Sequence, residues 1–203
     1  VTLAAYTAWL AKAAPREEVI AGLRKFAGTA TGADLATAET NALRHGGYGE
    51  DRSVYTQPLF APEGEEPRTV HLGLDIFAPH DTPVFAILPG KIHSVAENAK
   101  AGDYGPTLIL EHAPAPGLVF HTLYGHLARA STRSLRAGHA FLPGEQIAVL
   151  GRRTENGGWP PHLHFQVILD LGKWRGDYPG VCRRSEQAEW LARCPDPRPL
   201  LGL

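Results

Sequence analysis

From residue 68 onward the chain alternates apolar and polar positions in short runs, the two-residue period of half-buried strands. These runs predict strands over 70–77, 83–88, 91–96, 107–112, 119–126, 146–150 and 162–169. Pro89-Gly90, Gly102-Asp103, Pro116-Gly117 and Pro143-Gly144 fall between them as turn formers. Short strands divided by turns point to a mainly β fold with a compact antiparallel core. Before residue 68 the period changes. Leu3, Tyr6, Trp9 and Leu10 recur at three- and four-residue spacing, as on one face of a helix. Pro15 followed by Arg16, Glu17 and Glu18 predicts a second helix start, carried on by Val19, Leu23 and Phe26 to Gly28. A third helix is expected from about Asp34 through Leu35, Ala38 and Leu43 to Gly46-Gly47. Near the C-terminus a short helix is expected over 185–193, with Ser185 as N-cap, before Cys194-Pro195-Asp196-Pro197. The predicted division is a helical N-terminal segment over 1–47, a linker loop over 48–67, and the β domain with its C-terminal extension over 68–203.

Two of the predicted strands carry residues suited to metal chemistry. In His162-Leu163-His164-Phe165-Gln166-Val167 alternation puts His162, His164 and Gln166 on one face and the apolar residues on the other. In Thr69-Val70-His71-Leu72-Gly73-Leu74-Asp75-Ile76-Phe77 the same argument aligns His71, Gly73 and Asp75. A catalytic zinc takes three ligands from His, Asp or Glu and leaves a position for water. His71, Asp75 and one of the two histidines of the later strand would supply that set, with Gly73 leaving room for the ion. In Thr122-Leu123-Tyr124-Gly125-His126-Leu127, His126 ends a polar face shared with Thr122 and Tyr124, and a histidine there suits proton transfer. His45, His80, His93, His112, His121 and His139 have no matching partners and are expected to be surface or packing residues.

The 203 residues allow one domain plus an appendage. A net charge of −1 gives no reason to expect nucleic acid or an anionic membrane as partner. No apolar run approaches the roughly 20 residues that cross a bilayer. The sequence opens without a basic leader and apolar segment, so the expectation is a cytoplasmic protein or one whose leader is already removed. Cys182 and Cys194 are the only cysteines, and free thiols are at least as expected as a disulfide.

The order His71-x-x-x-Asp75, Tyr124-Gly125-His126-Leu127, His162-Leu163-His164-Phe165 resembles the LytM/lysostaphin type of zinc metallopeptidase, the M23 family. Thr82-Pro83-Val84-Phe85-Ala86, Gly90-Lys91-Ile92, Tyr104-Gly105 and Pro143-Gly144-Glu145-Gln146-Ile147 carry the same likeness. The resemblance implies a Zn²⁺ ion held by His71, Asp75 and His164, with His126 and His162 as the catalytic pair and a peptide or small amide as substrate. Tyr124, Asn156 and Trp159 are then expected along the substrate groove. Two departures stand out. The Thr-Gly-x-Ser-Thr-Gly loop of wall-acting members is replaced by Arg153-Thr154-Glu155-Asn156-Gly157-Gly158-Trp159-Pro160-Pro161, and the usual Glu is Gln166, a change expected to be minor. Other stretches, among them His45-Gly46-Gly47-Tyr48-Gly49-Glu50-Asp51 and Gly176-Asp177-Tyr178-Pro179-Gly180, resemble M23 segments of large bacterial proteins. Those proteins also carry kinase-like and class III aminotransferase-like domains, which implies association with other enzyme domains and a small-molecule reaction as the alternative to peptide hydrolysis. A non-catalytic activator role is the third reading, opposed by the complete ligand set.

Overall fold

A computed structural model describes residues 1–13 and 45–203. The strands are β1 (His45–Gly46), β2 (Arg68–His71), β3 (Leu74–Phe77), β4 (Pro83–Phe85), β5 (Gly90–Asn98), β6 (Gly105–Ala115), β7 (Leu118–Gly125), β8 (Ala140–Phe141), β9 (Gln146–Val149), β10 (His162–Ile168) and β11 (Val181–Arg183). Seven of them form one antiparallel sheet in the order β1-β3-β10-β7-β6-β5-β8, and β11-β2 and β4-β9 are separate pairs. Alternation sends Leu108, Leu110, Phe120, Tyr124, Phe165 and Val167 to one face of the sheet, where they meet Val84 and Ile147 of the β4-β9 pair. Ile109, Leu123 and Ile168 point the other way and pack with Val70, Cys182 and Cys194. The large sheet is thus covered on both faces, which buries the central strand β10 along its whole length.

The predicted helix at the N-terminus is α1 (Leu3–Lys12), started by the Thr2 side chain accepting from the Ala5 N–H at 3.2 Å. Its Tyr6 and Trp9 rings pack on Phe120, with centroids 5.1 and 5.4 Å away. The predicted second helix and the body of the third lie outside the described residues. Where the third was expected to end, His45–Gly46 pairs with Ile76 and Asp75 as a strand.

Two expectations need correction. The run over 70–77 is not one strand: it breaks at Leu72-Gly73, and β2 and β3 join different sheets. Val70 and Leu72 enter the cluster on one side of the large sheet, Leu74 and Ile76 the cluster on the other. Unbroken alternation concealed this crossing, because burial on either side demands the same residue types. The helix expected over 185–193 begins as a 3₁₀ turn at Arg184–Glu186 and is α-helical only over Gln187–Arg193. Ser185 does not cap it; its N–H and hydroxyl both go to the Glu66 carboxylate. Short helices at Arg129–Thr132 and Arg198–Leu201, too brief to show a period, were not foreseen.

His112 is a packing residue with a measurable consequence. Its Nδ1–H donates to the Pro89 carbonyl at 2.8 Å and its Nε2 accepts from the Thr122 hydroxyl at 2.7 Å. Burial pushes its pKa down to about 4, whereas the unfolded chain titrates near 6.5. The unfolded state therefore takes up the proton first as pH falls. The stability tied to neutral His112 is whole above pH ~6.5 and is lost between pH ~6.5 and ~4, to the extent of about 3 kcal/mol. In urea titrations of the metal-free protein, His112→Gln is expected to be less stable at pH 7 but to lose less stability than wild type on acidification to pH 4.

Candidate metal centre

His71 ends β2, Asp75 lies in β3 and His164 lies in β10, where it pairs directly with Asp75. All three are buried. His71 Nε2 is 3.2 Å from Asp75 Oδ1 and 3.0 Å from His164 Nδ1, and His164 Nδ1 is 3.1 Å from Asp75 Oδ1. The outer nitrogen of each ring is committed elsewhere: His71 Nδ1–H donates to the Gly47 carbonyl at 3.2 Å, and His164 Nε2–H donates to Gln166 Oε1 at 3.0 Å. Those bonds leave lone pairs on both inward nitrogens, facing a carboxylate oxygen. Three lone pairs converging in a buried space repel one another unless a cation sits among them. The separations also suit a small divalent ion, since bonds of about 2.0 Å in tetrahedral array set donor atoms about 3.3 Å apart. Burial pushes the Asp75 carboxyl up, but a proton carried by His71 or His164 on the nitrogen facing it, in the place an ion would take, outweighs burial and holds the carboxyl well below the usual carboxylate range. The donor set fits the metal.

Because β2 and β3 are separate, the four-residue spacing of His71 and Asp75 does not act through a shared strand face. The turn at Leu72-Gly73 brings them together. Gly73 does make room, but for the His164 ring: a Cβ there would lie 2.6 Å from Cε1 and Nε2 of that ring.

His126 and His162 stand beside the three donors, their ring centroids 4.2 Å apart. His162 Nδ1–H donates to the Pro160 carbonyl at 2.7 Å and His126 Nδ1–H to the Asn156 carbonyl at 2.8 Å. Each ring thus keeps Nε2 as its acceptor. Burial lowers the pKa of both, and His162 and His164 lower His126 further, so both rings are neutral near pH 7. His126 has φ of 63°, a left-handed conformation that costs a non-glycine residue about 1 kcal/mol. The conformation breaks the alternation of β7 and turns the ring toward His164, on the face opposite Thr122 and Tyr124. Hydrogen bonds from His126 N–H to Tyr104 and from Gly151 N–H to His126, at 2.9 and 2.8 Å, hold it there.

The five residues open onto a cavity of about 280 Å³ walled by Tyr55, Phe60, Tyr104, Trp159 and Tyr178. Trp159 lies where a groove residue was expected, its indole N–H on the Gly102 carbonyl at 3.1 Å. Tyr124 does not line the cavity; its ring is in the core against Phe165, centroids 5.2 Å apart, because β7 keeps its alternation up to Gly125. Asn156 is fully buried beneath the cavity, where its side chain binds Gly158 N–H, Trp159 N–H and the Trp159 carbonyl and so shapes the loop that holds His126. His121 packs away from the donors, against His93 at 5.2 Å between centroids. Gln166 preserves the acceptor that a glutamate would offer His164, and its amide also donates to the Pro179 carbonyl and to the free thiol of Cys194, which a carboxylate could not do. Arg52, Tyr55 and Phe60 are cavity residues that the sequence did not reveal, since residues 48–67 follow no period and contain no metal-ligand spacing.

An antiparallel sheet carrying a buried His-Asp-His donor set beside an aromatic cavity defines a protein with a candidate metal site. Residues 69–174 match peptidase family M23, just over half of the 203 residues, and the chain belongs to that family. It is 31% identical over 127 residues to an uncharacterized metalloprotease of Haemophilus influenzae, covering 61% of this chain and 24% of that protein. It is 32% identical over 114 residues to the peptidoglycan DD-endopeptidase ShyB of Vibrio cholerae, covering 54% of this chain and 24% of that protein. The chain therefore spans about a quarter of the length of these relatives. Its fold is similar to the catalytic domain of lysostaphin from Staphylococcus simulans, with a TM-score of 0.50 at 21% identity over 85% of this chain and 99% of that one. Among the described residues no helix is long and apolar enough to cross a membrane.

Proposed function

We propose that this chain is a zinc-dependent hydrolase of the metalloendopeptidase type, cleaving a peptide amide bond. His71, Asp75 and His164 are the ligands and His126 and His162 the proton-handling pair. The observation that carries this reading is the convergence of three inward lone pairs next to two neutral imidazoles that keep Nε2 as acceptor. When bound, zinc supplies Lewis acidity and lowers the pKa of a coordinated water toward about 7. His126 and His162 each accept a proton at Nε2, and a ring so protonated becomes a donor for the substrate carbonyl oxygen or the leaving amine. Tyr104 is not such a donor, because its hydroxyl is committed to the Tyr178 carbonyl at 3.1 Å. Trp159 and Pro160 form a stiff wall against which a peptide can be laid.

ShyB's name makes peptidoglycan the first substrate to test. The purified protein is expected to contain about one zinc per chain and to release peptide fragments from peptidoglycan or pentaglycine. Stripping the metal should abolish release and zinc should restore it. A protein that binds no zinc even after reconstitution would overturn the reading. Zinc without cleavage of either substrate would direct the search to a small amide.

A further inference from the structure

The donor set lies within residues 69–174, but the segment that orients it lies before them. Residues 49–52 run antiparallel to β2: Gly49 N–H donates to the His71 carbonyl, His71 N–H to the Glu50 carbonyl and Arg52 N–H to the Thr69 carbonyl, each at 2.9 Å. That pairing carries the Arg52 side chain over Asp75. Its Nη1 donates to Asp75 Oδ2 at 2.6 Å and to the Tyr55 hydroxyl at 3.0 Å, its Nε to Glu50 Oε2 at 2.9 Å, and its Nη2 to the Gly47 carbonyl at 3.4 Å. The same Gly47 carbonyl accepts from His71 Nδ1–H, so one short segment holds two of the three ligands.

We propose that Arg52 is a positioning residue that makes Asp75 a one-oxygen ligand, an inference that rests on the zinc reading above. The two carboxylate oxygens are divided between partners. Oδ1 faces His71 and His164, while Oδ2 is taken by the guanidinium. With Oδ2 held, the carboxylate cannot chelate the ion through both oxygens, and a coordination position stays open for water. It also cannot swing toward His162, whose Nε2 is already 3.7 Å from Oδ1. Arginine suits this task because its planar fork reaches Asp75, Tyr55, Glu50 and Gly47 at once, whereas an ammonium is a single point charge. The side chain is nearly buried, 12% exposed, so solvent does not replace these bonds if they are removed.

The test is zinc affinity, measured by competition against a chromophoric chelator on the metal-free full chain. Wild type, Arg52→Gln and Arg52→Lys are compared, each checked for folding by circular dichroism. Arg52→Gln is expected to bind zinc about 10–100-fold more weakly, the usual cost of losing a group that orients a ligand. Arg52→Lys should recover only part of the loss. Cobalt-substituted Arg52→Gln should show weaker visible bands than wild type, as a second Asp75 oxygen enters the coordination sphere. Unchanged zinc affinity in Arg52→Gln would overturn the proposal. So would metal-free Arg52→Lys failing to fold, which would assign Arg52 to the fold rather than the ligand. If the wild type itself binds no zinc, it is the zinc reading that fails.

Discussion

His71→Ala is expected to lose tightly bound zinc and, with it, hydrolytic activity. In the proposed arrangement three protein donors would hold the ion, and removing one would leave a His-Asp pair with water filling the vacancy. Zinc-site binding energies of roughly 10–16 kcal/mol spread over four donors make each worth about 3 kcal/mol, so affinity should fall by roughly 10²–10³-fold. The choice of variant matters. Asp75→Ala would also remove the partner of the buried Arg52 guanidinium and leave an uncompensated charge, at a further cost of about 3–5 kcal/mol in stability. His71→Ala leaves the one charged neighbour of that ring, Asp75, still paired with Arg52. Metal content after dialysis, read beside a thermal melt, separates loss of ligand from loss of fold. His71→Ala with full metal and full activity would mean that the ion, if present, sits elsewhere.

The second large effect belongs to the two histidines that hold no metal in the proposed arrangement. His126→Ala and His162→Ala should each keep zinc yet lose roughly 10²–10⁴-fold in kcat, the range for general acid–base groups. Retained metal is the discriminating readout, since it distinguishes proton transfer from ligation. Burial lowers the pKa of both rings, so both are free bases throughout the neutral range. Protonation switches off a base. The acidic limb of kcat/KM should therefore lie below pH ~6.5, the value for an unperturbed imidazole, and not above it. A wild-type acidic limb well above pH 7, or either variant losing its zinc, would contradict this division of roles.

The β core and its chemistry were legible for different reasons. Strand β10 could be read directly because its apolar face (Leu163, Phe165, Val167) and polar face (His162, His164, Gln166) are both intact in the sequence. The pairing of His71 with Asp75 was visible as a spacing, but the geometric reason assigned to it was wrong. One even-numbered step along one strand was expected, and a turn between two strands does the work. Tyr124 and His126, two residues apart, were assigned to one face and lie on opposite ones, because a positive φ at His126 interrupts the pleat. Asn156 was expected to line the groove and instead shapes the loop behind His126.

The sequence by itself determined the mainly antiparallel fold, the family and the five residues that converge, because alternation and motif order are local and survive in one dimension. What only the tertiary structure decided is how those residues are held. The tautomer-setting carbonyls of Gly47, Asn156 and Pro160 and the Arg52 clamp on Asp75 come from backbone groups and aperiodic loops. A carbonyl is the same at every position, and a loop side chain such as Arg52 acquires its partner through a strand pairing some 20 residues away in sequence. No periodicity encodes that contact; it exists only once the chain has folded around Asp75.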